Sequence, residues 1–313
     1  MKTKIKVGLP RALLYYKYNI LWKTYLKYLG CNTVVSPETN KEILQDGLKD
    51  SPDEACLAFK IYTGHVKNLI NKCDYILIPR ISNYGKNERV CSKFEALYDD
   101  IKTTYPSANI LFYNIDHLNN HYKTISLLYL GLKLNKNPLK VIYSYNKAIK
   151  KQKKYIKELE NNQQHILSKA TKKILLVAHP YIIYDKYLCS EIITYLNKNK
   201  IDILYADRLN KKIAREYYKE LSPTLYWSDS KNLVGAINYY KNNISGIIFI
   251  STFPCGLDSL VNELMIRKIT NIPKLNIIID ELAAETGLIT RLESFIDILE
   301  GGANWNKQYH FLD

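Results

Sequence analysis

Short apolar runs separated by amphipathic stretches recur along the whole chain. IKVGLP (5–10), NTVVSP (32–37), YILIPRI (75–81) and ANILFYNI (108–115) are short runs rich in Ile, Val and Leu, bounded by turn-forming residues, the pattern of strands. Residues 13–29 carry apolar positions at helical spacing up to Gly30. From 137 to 170 the rhythm changes: KAIKKQKKYIKELENNQQHIL is one long helical stretch whose charges make a solvated face. A second series follows, KKILLVAHP (172–180), IDILYAD (201–207), GIIFIST (246–252) and KLNIIIDE (274–281), closed by a helical pattern over 288–299. This alternation predicts an α/β protein with parallel sheets covered by helices on both faces. The expected layout is an N-terminal α/β domain over 1–136, a helical connector over 137–171 and a C-terminal α/β domain over 172–313. The halves share a rhythm but no alignable repeat.

One stretch, GIIFISTFPCGLDSLVNEL (246–264), organises the chemistry. Its apolar run stops at Phe253-Pro254, and Cys255 opens an apolar-periodic segment bearing Asp258 and Glu263, a helix start. Cys255 thus falls past the carboxyl end of a strand, where open α/β sheets build ligand sites and a helix dipole favours thiolate over thiol. Cys56 follows Ser51-Pro52-Asp53-Glu54-Ala55, which reads as an N-cap, a first-turn proline and acidic residues, so it is expected within the first turns of a helix. Cys91 follows the strand YILIPRI and the polar loop SNYGKNERV and leads into KFEALYDDI, another helical pattern. Cys31 and Cys73 stand at strand starts and Cys189 in mid-helix, which are packing positions.

Cys56, Cys91 and Cys255 would meet if the two halves face each other across a cleft. No C-x-x-C pair or fourth ligand suggests a closed zinc site, whereas a [4Fe–4S] cluster accepts cysteines singly from distant loops and, with three, leaves one iron open. Burial as a small apolar side chain is the competing reading for each cysteine.

Composition narrows the partners. In 313 residues, 47% hydrophobic, no uncharged run reaches membrane-spanning length, and MKTKIKVGLPRAL passes into a strand pattern without a signal-peptide core. The expectation is a cytoplasmic protein whose six cysteines are thiols or metal ligands rather than disulfides. The want of a spanning run leaves no membrane partner expected, and the net charge of +15 comes mostly from lysines spread among Asn, Ile and Tyr, not from one basic element, so no nucleic-acid partner is expected either. There is no phosphate-binding G-x-x-x-x-G-K-[ST] loop.

VGLPRALLYYKY, SPETNKEILQDG, DEACLAFKIYTGHV, YILIPRI with VCSKFEAL, HPYIIYDKY, FPCGLDSLVNEL and IDELAAETGLITRLESFIDIL together make the chain similar to the acyl-CoA dehydratase activase-related proteins, relatives of the 2-hydroxyacyl-CoA dehydratase subunits. The resemblance covers nearly the whole length. It implies two Rossmann-like domains and a [4Fe–4S] cluster at their interface, held by Cys56, Cys91 and Cys255. The implied role is dehydratase-like or low-potential electron transfer, with an acyl-CoA substrate, a separate ATP-dependent activator and a homo- or heterodimer. Where relatives read something like DEHTGEAG, this chain has Asp280-Glu281-Leu282-Ala283-Ala284-Glu285-Thr286-Gly287, so a histidine and a hydroxyl residue are replaced by apolar ones.

Other polar residues fall near the expected cleft. Glu281 and Glu285 follow the last strand and are the acid–base candidates, with a solvated surface as the alternative. Arg80 ends a strand and would meet a CoA phosphate, the cluster or a neighbouring helix. Asp258 and Ser259 are expected to cap the helix after Cys255, and a hydrogen bond from Ser259 to a cluster sulfur is the second possibility. His65 points away from Cys56 and reads as structural, while His179, Tyr181 and Tyr184 follow a strand of the second half. The competing functional class is a non-enzymatic module binding a nucleotide or CoA-like ligand.

Overall fold

The computed structural model of the chain describes residues 4–281 and 285–301. Its contacts divide it into two compact units, one of Met1–Glu158 with Tyr184–Tyr187 and Tyr226–Ser228, the other of Leu159–Ile183, Leu188–Leu225 and Asp229–Asp313.

In the first unit the chain runs β1 (Lys6–Leu9), α1 (Tyr15–Leu29), β2 (Asn32–Val35), α2 (Lys41–Asp50), α3 (Leu57–Leu69), β3 (Tyr75–Leu77), β4 (Arg80–Asn83), α4 (Ser92–Thr104), β5 (Ile110–Leu111), β6 (Asn114–Asp116), α5 (Lys123–Leu134) and the start of α6 (Pro138–Leu167). A parallel sheet of order β2-β1-β3-β5 forms the centre, with β4 and β6 paired in parallel beside it. Helix α1 buries Tyr18, Leu21, Trp22, Tyr25, Leu26 and Leu29, the three-and-four spacing visible in the sequence. It stops at Gly30, whose φ of 91° lets its N–H reach the last-turn carbonyls.

The run 75–81, expected as one strand, is two strands. Pro79 has no N–H to give the ladder, so pairing lapses there: Ile78 N donates to Leu111 O and Arg80 N to Tyr113 O, one residue to either side. The partner run 108–115 divides at the same place into β5 and β6.

Helices α2 and α3 cross at Gly47 and Gly64. A Cβ on Gly47 would collide with the Lys60 carbonyl, and one on Gly64 with the Ile43 carbonyl. The approach of the two backbones therefore requires both glycines.

The second unit holds the rest of α6, then β7 (Lys173–Val177), α7 (Pro180–Ile183), α8 (Lys186–Lys198), β8 (Asp202–Tyr205), α9 (Lys211–Leu221), α10 (Ser228–Tyr240), β9 (Gly246–Thr252), α11 (Gly256–Lys268), β10 (Lys274–Ile279) and α12 (Glu285–Gly301). The sheet is parallel, of order β10-β9-β7-β8. Every residue of β7 and β9 is buried, as expected of central strands covered on both faces. The winding matches that of the first unit: strand order reverses between β1 and β3, and again between β7 and β9.

The long helix is less purely solvated than its composition suggests. In the first unit Gln152 is buried, accepting from Leu21 N and donating to Lys17 O. In the second, Gln163 donates to Tyr205 O and accepts from Tyr205 N, capping the end of β8. No helix among the described residues is long and apolar enough to cross a membrane.

Gly64→Ala is expected to cost about 1–3 kcal/mol by forcing α2 and α3 apart. Urea unfolding checks this; a loss under about 0.5 kcal/mol would mean the crossing has room that the backbone positions deny.

Candidate functional site

In a parallel sheet each covering helix runs back antiparallel to the strands, so its N-terminus lies at the carboxyl edge. Cys56, Cys91 and Cys255 are the N-cap residues of α3, α4 and α11. Their carbonyls accept the first helical bonds, from Phe59 N, Phe94 N and Ser259 N respectively. Each is half-buried, and no side chain of the three caps its own helix.

The local account of Cys56 needs one correction. Ser51 is the C-cap of α2 rather than an N-cap, and Pro52 to Ala55 form a turn closed by Ala55 N donating to Pro52 O. Cys56 is extended, with φ −64° and ψ 149°, so the helix starts one residue after it instead of enclosing it. Proline and acidic residues suit a turn as well as a first helical turn, and the preceding helix has already used the serine.

Within the first unit two of these helix starts touch. Lys93, two residues after Cys91, holds its Nζ 4.6 Å from the ring centroid of Phe59, three residues after Cys56. The loop before Cys91 is pinned by Arg89 N donating to Tyr226 O and Ser228 N donating to Arg89 O. The second unit presents Cys255 beside the point where its strand order reverses, the β7/β9 crevice where doubly wound sheets take ligands.

That crevice also carries a pair that the sequence reading did not join. His179, just past β7, has its Nε2 2.9 Å from Asp258 Oδ1, and both side chains are buried. Tyr181 stacks on the imidazole with ring centroids 5.1 Å apart. Asp258 therefore does not serve mainly as a helix cap, the role expected for it. The His-Pro that ends KKILLVAHP and the acidic third residue of α11 were the available signals, and only the sheet register connects them. Ser259, in the same turn, is exposed.

The remaining cysteines behave as packing residues. Cys31 and Cys189 are buried, and burial pushes the thiols of Cys31 and Cys73 up, the latter beside the Leu69 carbonyl to which it donates. None of the six is disulfide-bonded. Arg80 opens β4 instead of ending a strand, because Pro79 breaks the run before it, and it pairs with Asp99 of α4 at 3.4 Å, the neighbouring-helix salt bridge that was one of its expected roles. Glu281 is exposed after β10, and Tyr184 belongs by its contacts to the first unit. Glu285 opens α12, but its side chain, like Leu282, Ala283, Ala284 and Thr286, lies outside what is described. Among the described residues no group of three or more His, Cys, Asp or Glu side chains is gathered to hold a metal ion.

A second polar cluster sits at the carboxyl edge of the first unit's sheet. His65 is fully buried between Ser36 Oγ, 2.9 Å from Nδ1, and Thr39 Oγ1, 3.0 Å from Nε2. Thr39 donates on to Asp185 Oδ2 at 2.5 Å, and Asp185 also accepts from Tyr187 N. Arg11 N donates to Ser36, tying the turn after β1 into the same network. Burial, with the nearby Arg11 guanidinium, lowers the His65 pKa from 6.5 to about 3. The same burial, reinforced by Asp185, pushes the Tyr16 phenol up.

Below about pH 6.5 the unfolded chain protonates this imidazole while the native chain does so only near pH 3. His65 therefore leaves stability intact above pH 6.5 and erodes it as the pH falls toward 3, by about 2 kcal/mol at about pH 5. Urea unfolding across this range is expected to show that slope in the native chain and a shallower one in His65→Gln; equal slopes would refute the assignment.

A family model described as "CoA enzyme activase uncharacterised domain" matches residues 6–209. No curated protein matches the chain. A solved structure titled "Crystal structure of ZnuA" is 9% identical over 94% of this chain and 98% of that one, with a TM-score of 0.28, too low to bear on fold or function.

Proposed function

Because the chain belongs to the family described as CoA enzyme activase uncharacterised domain, we propose that it is an iron–sulfur protein serving acyl-CoA chemistry, as a dehydratase-like or low-potential electron-transfer component. The supporting observation is the shared position of three cysteines. Cys56, Cys91 and Cys255 are each a half-buried helix N-cap, while Cys31 and Cys189 are buried and Cys73 gives its thiol hydrogen to a carbonyl. A donor set of three thiols at helix N-termini fits a [4Fe–4S] cluster, because the helix dipoles favour the thiolate form that ligation requires. When bound, such a cluster supplies an electron at low potential and one iron open to an oxygen ligand.

The chain's own residues have narrower tasks in this reading. The N-termini of α3, α4 and α11 hold Cys56, Cys91 and Cys255 as thiolates. Lys93, packed on Phe59 and paired with Asp100 at 3.5 Å, ties the first turn of α4 to that of α3. His179, oriented by Asp258 just past β7, stands ready to hold or pass a proton. Glu281 is the exposed carboxylate for acid–base work. Arg80, tied to Asp99, keeps a cation near the start of β4, and Ser259 keeps a hydroxyl within a turn of Cys255. In this reading a separate activator protein carries out the ATP-driven electron delivery.

Anaerobic reconstitution with iron and sulfide is expected to give a brown protein with about four irons per chain. Cys56→Ser, Cys91→Ser and Cys255→Ser should each lose most of that iron, and Cys73→Ser should keep it. A native chain that stays iron-free, or a Cys255→Ser variant that loads fully, would leave the reading of a module binding a nucleotide or CoA-like ligand.

A further inference from the structure

The first unit carries a surface that the proposed chemistry does not use. Helices α5 and the start of α6 form a hairpin: Thr124 Oγ1 lies 2.8 Å from Tyr145 Oη, and Gly131 lies against Val141. Leu127, Leu130 and Gly131 turn inward. The outward face of α5 is also apolar, with Tyr122, Ile125, Tyr129 and Leu132 exposed at helical spacing. Leu139 and Ile142 continue it onto α6. Ile125 is 61% exposed, Tyr129 63% and Leu139 79%, so large apolar side chains face solvent along the hairpin where a soluble helix would place polar ones.

Charge identifies what would cover this face. Residues 117–157 contain ten lysines and no Asp or Glu. The lysines interleave with the apolar positions: Lys133 Nζ is 5.0 Å from the Tyr129 ring centroid, and Lys147 Nζ is 5.2 Å from that of Tyr143. A second copy of the chain would bring like charges together. Protein interface cores are depleted in lysine and need one complementary shape. An anionic bilayer meets both features at once, accepting apolar side chains to headgroup depth while its phosphates pair with the lysine rim. Tyrosine, with an apolar ring and a polar tip, suits that depth.

We propose that the α5–α6 hairpin is a peripheral docking surface for an anionic lipid membrane. The sequence expectation of no membrane partner rested on the want of a spanning run, which a helix lying in the interface does not need.

The test is co-sedimentation of the full chain with vesicles of phosphatidylcholine alone and of phosphatidylcholine with phosphatidylglycerol, at about 0.1 M salt. Binding only to the anionic vesicles is expected. Ile125→Ser/Tyr129→Ser and Lys133→Glu/Lys147→Glu should each lower it at least about tenfold without changing thermal unfolding by more than a few degrees. Lys212→Glu/Lys219→Glu, outside the hairpin, should leave it nearly unchanged. No binding by the native chain overturns the proposal, as does an equal fall in the outside variant, which would mean attraction by net charge alone. Concentration-dependent dimerisation abolished by Ile125→Ser/Tyr129→Ser also overturns it, and would make the face an interface between copies.

Discussion

Parallel strand pairing is the constraint on which everything else here depends. When all strands of a sheet point one way, the helices that cover it must start at the carboxyl edge, and their unpaired N–H groups collect there. β7 and β9 are buried over their full length because that arrangement leaves them no solvent face. Cys56, Cys91 and Cys255 are helix N-caps for the same reason. The helix dipoles at these positions are what the proposed ligation draws on.

Buried polar groups secure these edges. In the first unit, Ser36, His65, Thr39 and Asp185 form a continuous chain of hydrogen bonds. Each link satisfies a group whose isolation would cost more than the bond returns. In the second unit, His179 and Asp258 join the end of β7 to the first turn of α11. Asp258 Oδ2 is buried without a hydrogen-bond partner among the described residues, an arrangement that structural packing alone does not explain.

Much of the first-order fold was legible in the sequence. Seven-residue β9 spans 246–252 as its apolar run indicates, and the helix after Cys255 starts where the pattern changes. Local pattern failed where two causes compete for the same residues. Pro79 splits an apparent strand because the missing N–H matters more than the apolar run around it, and Ser51-Pro52 closes one helix instead of opening another. The His179–Asp258 bond was invisible for a different reason: 79 residues separate the partners, and only strand order makes them neighbours. The exposed apolar stripe on α5 was likewise hidden, since its spacing is that of a core-facing helix and burial alone distinguishes the two.

Family membership gives the acyl-CoA context, and the cysteine positions supply the chemical content of the proposal. Its central claim is that sulfurs from separate helix starts ligate one cluster. Mössbauer spectroscopy of the chain reconstituted anaerobically with iron-57 addresses it most directly. The account predicts a diamagnetic [4Fe–4S] spectrum in which about three irons share thiolate-like parameters and about one differs, its ligand not a cysteine. A spectrum of isolated high-spin ferrous or ferric iron, with no coupled cluster, would contradict it.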